Sequence, residues 1–138
     1  MIVVDTNVLS ELMRAIPSPA VLDWLRRNAR LIAVPVVALG ELRYGVARLP
    51  DGKRRQSLTL ALDALVERFA GSLLNYDVLA ANACGDILAA AESAGRPMAL
   101  ADVQIAAIAL VAHAPLATRN GSDFSSTRLV LINPWLGN

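Results

Sequence analysis

The chain opens on three β-branched residues, Ile2-Val3-Val4, stopped by Asp5 and followed at once by helical spacing at Val8, Leu9, Leu12 and Met13. A short run of branched apolar residues is a strand buried on both faces. Helical spacing directly after it leaves no place for a hairpin. The same alternation then recurs along the chain. Ser18 caps a second helix with Pro19 at its first position, Leu31 to Val34 reads as a second strand, and Pro35 opens a helix to about Arg48. Pro50-Asp51-Gly52 is a turn, and an amphipathic helix carries Leu58, Leu62, Leu65 and Phe69. Leu73-Leu74 suggests a third strand. Asp77 caps an Ala-rich helix to about Ser93, broken by Gly95-Arg96-Pro97. A helix over roughly Ala101 to Ala112, a strand at Leu116 to Thr118, a turn at Asn120-Gly121 and a last strand at Leu129 to Ile132 complete the series. Strands alternating with helices predict an α/β fold, a short parallel sheet flanked by helices on both faces.

At 138 residues the chain suits a single domain, 1–138, with no internal repeat or linker. Its residues are 55% apolar with few aromatics, which excludes a disordered chain and predicts a core of Ala, Leu, Val and Ile. One cysteine, Cys84, permits neither an internal disulfide nor a thiolate cluster, and a small buried thiol is the expected role. One histidine, His113, excludes a multi-histidine zinc site. No secretory signal precedes the first strand, and the apolar run from Ala99 to Leu116 is interrupted by Asp102, Gln104 and His113. The expectation is therefore a cytoplasmic protein with no membrane partner. The net charge of +1 does not by itself point to nucleic acid, which needs only a local basic patch.

In an open parallel sheet, ligands bind beyond the carboxyl ends of the strands. Asp5 directly follows the first strand. Asp123 lies in the loop after Leu116–Thr118, and Asp102 begins the helix that runs back to feed that strand, so all three are expected at one edge. Glu41 sits about two turns, roughly 9 Å, into the helix after the second strand, and joins them only if that helix leans across the site. Each has an ordinary structural explanation as well. Asp5 suits an N-cap, Asp102 the positive end of a helix, Asp123 a turn, and Glu41 an ion pair with Arg43 or Arg48. Convergence is what separates the readings. Several carboxylates in one cleft repel unless a cation neutralises them, and an all-oxygen donor set selects Mg²⁺ or Mn²⁺ over zinc. Such an ion activates water for attack at phosphorus, and no Ser or Cys nucleophile with a paired base is apparent.

With these residues in place, the sequence resembles the PIN-domain ribonucleases of the VapC/FitB type, toxins of bacterial toxin–antitoxin pairs. The resemblance spans the whole chain and rests on MIVVDTNVLSEL, LGELRYGVARLPDGKRR, GRPMALADVQIAA, LATRNGSDF and INPW, in that order. It implies a PIN-like fold, Asp5, Glu41, Asp102 and Asp123 as the acidic quartet, and Asp5 and Asp102 as Mg²⁺ ligands. It also implies supporting roles for Thr6, Thr118 and Asn120. The implied activity is metal-dependent endoribonucleolytic cleavage. The implied partners are RNA and a cognate antitoxin, with a homodimer and a larger toxin–antitoxin complex. Pro35 and Ala38 stand where relatives often carry hydroxyl residues, and HAPLATRN is shorter than the usual connection.

Arg43, Arg48, Lys53, Arg54 and Arg55 form the candidate RNA-tracking surface, with a solvated basic turn as the alternative. Leu9, Leu12, Met13, Val21, Trp24 and Leu25 make an apolar face, part core and part candidate groove for an antitoxin helix. Two other functions compete. A phosphotransferase using Asp5 as nucleophile would be expected to carry a second Asp at position 7, where this chain has Asn7. A catalytically silent PIN module acting only by RNA or antitoxin binding is the other.

Overall fold

A computed structural model describes residues 1–137. Its elements are β1 (Ile2–Val4), α1 (Thr6–Glu11), α2 (Pro19–Arg27), β2 (Ile32–Pro35), α3 (Val36–Ala47), α4 (Lys53–Arg68), β3 (Leu73–Leu74), α5 (Val78–Ser93), α6 (Leu100–Val111), β4 (Leu116–Ala117) and β5 (Leu131–Ile132). Short 3-10 turns occupy Ala70–Ser72, Gly121–Phe124 and Pro134–Leu136. The strands form one sheet in the order β3-β2-β1-β4-β5. Every pairing is parallel, with Ile2 beside Ile32, Val3 beside Leu116, Val34 beside Leu73 and Leu116 beside Leu131. With right-handed crossovers, the α1–α2 and α3–α4 connections cover one face. The return from β3 to β4 reverses direction and sends α5–α6 over the other. The expected α/β architecture, helices on both faces of a short parallel sheet, is the one observed.

β1 is central and wholly buried, which is why it tolerates no polar residue before Asp5. Around it lie Val8, Leu9, Val21, Trp24, Val34, Ala38, Ile105, Ala106 and Leu116, all buried. Each large aliphatic side chain so removed from water contributes about 1.5–3 kcal/mol. A second apolar cluster joins Ala80 and Cys84 of α5 to Val103, Ala107 and Ile108 of α6. Small residues on both facing surfaces let these two helices pack closely, so the Ala-rich composition has a structural use. Cys84 is buried there as expected.

Helix starts follow the sequence with two differences. Asp5 and Asp77 cap α1 and α5 through bonds from the Val8 and Ala80 amides, each 2.9 Å. Pro35, however, is the last residue of β2 and only flanks α3. Ser18 makes no side-chain cap, and its amide instead donates to Glu11 Oε2 at 2.7 Å. That bond ties the connection between α1 and α2 to a glutamate buried in the domain. Among the described residues no helix is long and apolar enough to cross a membrane.

Candidate active site

The carboxyl edge of the sheet collects the acids. The Asp5 amide continues the ladder by donating to Ala117 O at 3.0 Å, so Asp5 leaves the sheet beside Thr118. Both are buried. Burial pushes the Asp5 carboxyl above the ordinary aspartate value, and the negative charge of Glu41 adds to the rise. The Thr118 hydroxyl and the Val8 and Asn7 amides pull the other way. Thr118 also fixes the next segment, its Oγ1 accepting the Asn120 amide at 3.1 Å.

Asp102 lies in the first turn of α6, half-buried. Its carboxyl is also pushed up, first by burial, then by the charges of Glu41, Asp5 and Asp123. Glu41, Asp5 and Asp123 come from three other segments of the chain, and all three are felt at one carboxylate. Asp123 is exposed on the 3-10 turn Gly121–Phe124, a helical turn where a simple reversal was expected, with its amide bonded to Asn120 O at 3.0 Å. Asp102 and Asp123 line one cavity of about 430 Å³, together with Arg96 and Ser122.

Glu41, the acid whose placement depended on the inclination of α3, does reach the site. The Thr6 hydroxyl donates to Glu41 Oε1 at 2.5 Å. Helix α3 makes this possible by packing against both α1 and α6, the helices that start at Thr6 and just before Asp102. The interior glycines Gly40 and Gly45 meet nothing where a Cβ would sit, so no close approach requires them.

The donor set suits a hard divalent cation: carboxylate oxygens without thiolate or imidazole, and two carboxyl groups whose pKa values are raised first by burial and then by neighbouring negative charge. Among the described residues, no group of three or more His, Cys, Asp or Glu already stands in a ligating array. The acids are thus within electrostatic range of one another without being drawn together.

The expected RNA-tracking residues divide. Arg43 is paired to Asp63 at 2.7 Å, and Arg55 to Asp51 at 2.9 Å. Arg48 lies over the Tyr44 ring, 5.6 Å from its centroid. Lys53 is exposed at the start of α4. Arg48 and Arg54 line a groove of about 910 Å³ with Arg14, Met13, Ile16 and Leu58, and Glu41 stands in its wall. The apolar face expected on the first helical pair is mostly interior. Leu9, Val21, Trp24 and Leu25 are buried, Leu12 is half-buried, and only Met13 reaches the groove. The open apolar surface runs instead along the α1–α2 connection, α3 and α4. Sequence reasoning also passed over Glu11, whose burial is signalled only by its apolar neighbours Leu9, Leu12 and Met13, and over Arg96.

Fold and site together define a small α/β domain with an acidic centre at the carboxyl edge of a parallel sheet. The chain belongs to the PIN domain family, whose description matches residues 2–129. It is 39% identical to the plasmid stability protein StbB of Pseudomonas syringae pv. tomato, over 98% of this chain and 99% of that protein. Identity is also 39% to the VapC ribonuclease Y4jK of Sinorhizobium fredii, over 98% of each. Toxin FitB of Neisseria gonorrhoeae is 34% identical over 98% and 99%. The crystal structure of FitAcB from Neisseria gonorrhoeae superposes with a TM-score of 0.89 at 34% identity, covering 98% of this chain and 99% of that one. Within its family the chain is therefore similar to toxins of the VapC and FitB type.

Proposed function

We propose that this protein is a divalent-metal-dependent endoribonuclease, the toxin of a toxin–antitoxin pair. The observation that carries the reading is the convergence of Asp5, Glu41 and Asp123 on Asp102, whose carboxyl pKa is raised first by burial and then by these three charges. Asp5 and Asp102 are the residues that would hold Mg²⁺ or Mn²⁺, with Glu41 and Asp123 beside them. A bound divalent ion supplies Lewis acidity toward a phosphoryl oxygen and acidifies water. The chain's own groups do the rest. The Val8 amide engages Oδ1 of Asp5 and holds the carboxylate at the sheet edge. Thr6 engages Oε1 of Glu41, leaving Oε2 as the acceptor for a water proton as the water oxygen bonds to phosphorus and the ester P–O bond breaks. Thr118 and Asn120 stiffen the wall between Asp5 and Asp123.

The partner is an antitoxin, as in the toxin–antitoxin complexes among structural relatives, and its amphipathic helix lies in the groove between Met13–Ile16 and α4. A second copy of the chain covers exposed apolar residues such as Val78 and Leu79 of α5. RNA as substrate places the activity in the cytoplasm.

The test is cleavage of total RNA with and without Mg²⁺, comparing the wild type with Asp5→Asn. Divalent-dependent cleavage lost by at least about a hundredfold in the variant supports the reading. Equal cleavage by both proteins, or cleavage unaffected by chelator, sinks it. Antitoxin binding without any cleavage would leave a silent module.

A further inference from the structure

The cavity holding Asp102 and Asp123 has a basic wall that the acidic centre does not use. Helix α5 ends with Gly95 in the left-handed region (φ +67°). The Gly95 amide donates to Glu92 O at 3.0 Å and the Arg96 amide to Ala91 O at 2.9 Å. This paired closure fixes the backbone of Arg96, and Pro97 stiffens the step that follows. The side chain is held too: Nη1 of Arg96 donates to Ser125 Oγ at 2.9 Å, bridging the connection before α6 to the segment after β4. A guanidinium carries five N–H donors, and this bond uses one. Among the described residues Arg96 makes no ion pair, although Asp102 and Asp123 line the same cavity. Ser122 and Ser126 add hydroxyls to that lining.

We propose that Arg96, braced by Ser125, binds the backbone phosphate of RNA next to the one that is cleaved. The inference rests on the nuclease reading above. A polyanion brought against four carboxylates needs fixed positive charge close by, and an anchored guanidinium with free donors matches phosphate oxygens in a way an ammonium does not. The hydroxyl of Ser122 supplies a neutral donor to the same group. Arg43 and Arg55, by contrast, already face carboxylates.

The experiment is binding of a fluorescent single-stranded oligoribonucleotide to the full chain in chelator, across a series of monovalent salt concentrations. Cleavage of the same oligonucleotide in Mg²⁺ is followed in parallel. Arg96→Gln should weaken binding about three- to tenfold at low salt and flatten the log–log salt slope by about 0.7. Arg96→Lys should keep the slope and lose part of the affinity. Arg30→Gln, before β2 and away from the site, should leave both nearly unchanged. Wild-type affinity and slope in Arg96→Gln would overturn the inference while leaving the nuclease reading intact, provided the wild type cleaves. Equal losses in the Gln and Lys variants with a lowered Tm would also overturn it, because they would mark a purely structural tie to Ser125. A wild type that neither binds nor cleaves RNA would remove both proposals, and the nuclease reading would be the first to fall.

Discussion

The hydroxyl of Thr6 holds the carboxylate of Glu41, thirty-five positions further along the chain. The residue after the first acid of the centre therefore orients the second. Removing that hydroxyl frees a long side chain on the solvent-facing side of α3. Thr6→Val is expected to lower kcat/KM for RNA about tenfold, the usual cost of a hydrogen bond to a charged group. Thr6→Ser should retain most activity. Steady-state cleavage by the three proteins in Mg²⁺ decides; an unaffected Val variant would detach Glu41 from the mechanism.

Asp5 and Asp102 have folded-state pKa values above those of the unfolded chain. Between the two values the native state binds more protons than the unfolded state, so stability falls as pH rises from about 4 through the raised values. Below the unfolded value the full stability is present. Urea unfolding between pH 4 and 7 in chelator should show this decline, and Mg²⁺ at pH 7 should reverse it. A flat profile, or no response to Mg²⁺, contradicts the expectation.

Asp5→Asn should be more stable than the wild type at pH 7 without metal. Asparagine caps a helix as well as aspartate does and still accepts the Val8 amide, while no charge is buried. A gain of about 1 kcal/mol, or about 4 °C in Tm, is expected alongside lost cleavage. A destabilised variant would mean that the cap matters more than the buried charge.

Ile16 is 87% exposed at the rim of the groove. Covering such a side chain at an interface is worth about 1.5–3 kcal/mol. Ile16→Asp should weaken antitoxin binding at least about tenfold by calorimetry while leaving the RNA cleavage rate of the free protein within about twofold. Unchanged antitoxin affinity would move the docking surface elsewhere.

Glu11 supports that rim from below. It is 2% exposed and accepts from the Ser18 amide at 2.7 Å and from Arg14 at 3.1 Å. Of the Arg14 pair only the arginine is solvated, and that exposure screens its contribution. Glu11→Ala should cost about 2 kcal/mol, mostly through the Ser18 amide, and Glu11→Gln about half that. Denaturant midpoints measure both.

Much of this was legible from residue order. Strands that are apolar on both faces, each followed by a helix, specify a parallel sheet, and the sheet specifies which edge collects Asp5, Asp102 and Asp123. The placement of Glu41 was not legible, because the tilt of α3 depends on contacts with α1 and α6 that no local pattern encodes. The groove was misplaced for a related reason. Helical spacing marks an apolar stripe, but how much of that stripe the core consumes depends on the layers around it, and here Leu9, Val21, Trp24 and Leu25 are all consumed. Arg96 looked like part of a helix breaker, since its tie to Ser125 spans 29 positions.

The central position of β1 has a consequence for how the protein is made. This strand is synthesised first, yet one of its two neighbours, β4, follows about 110 residues later. At ribosomal speeds of about 5–20 residues per second, that is a delay of roughly 6 to 20 s. Throughout it the sheet lacks a neighbour on one side and the acidic centre lacks Asp123. The groove residues, from Ser10 to Leu58, have all left the ribosome by then. If the toxin reading holds, a growing chain would display the proposed antitoxin groove well before it contains a complete set of acids.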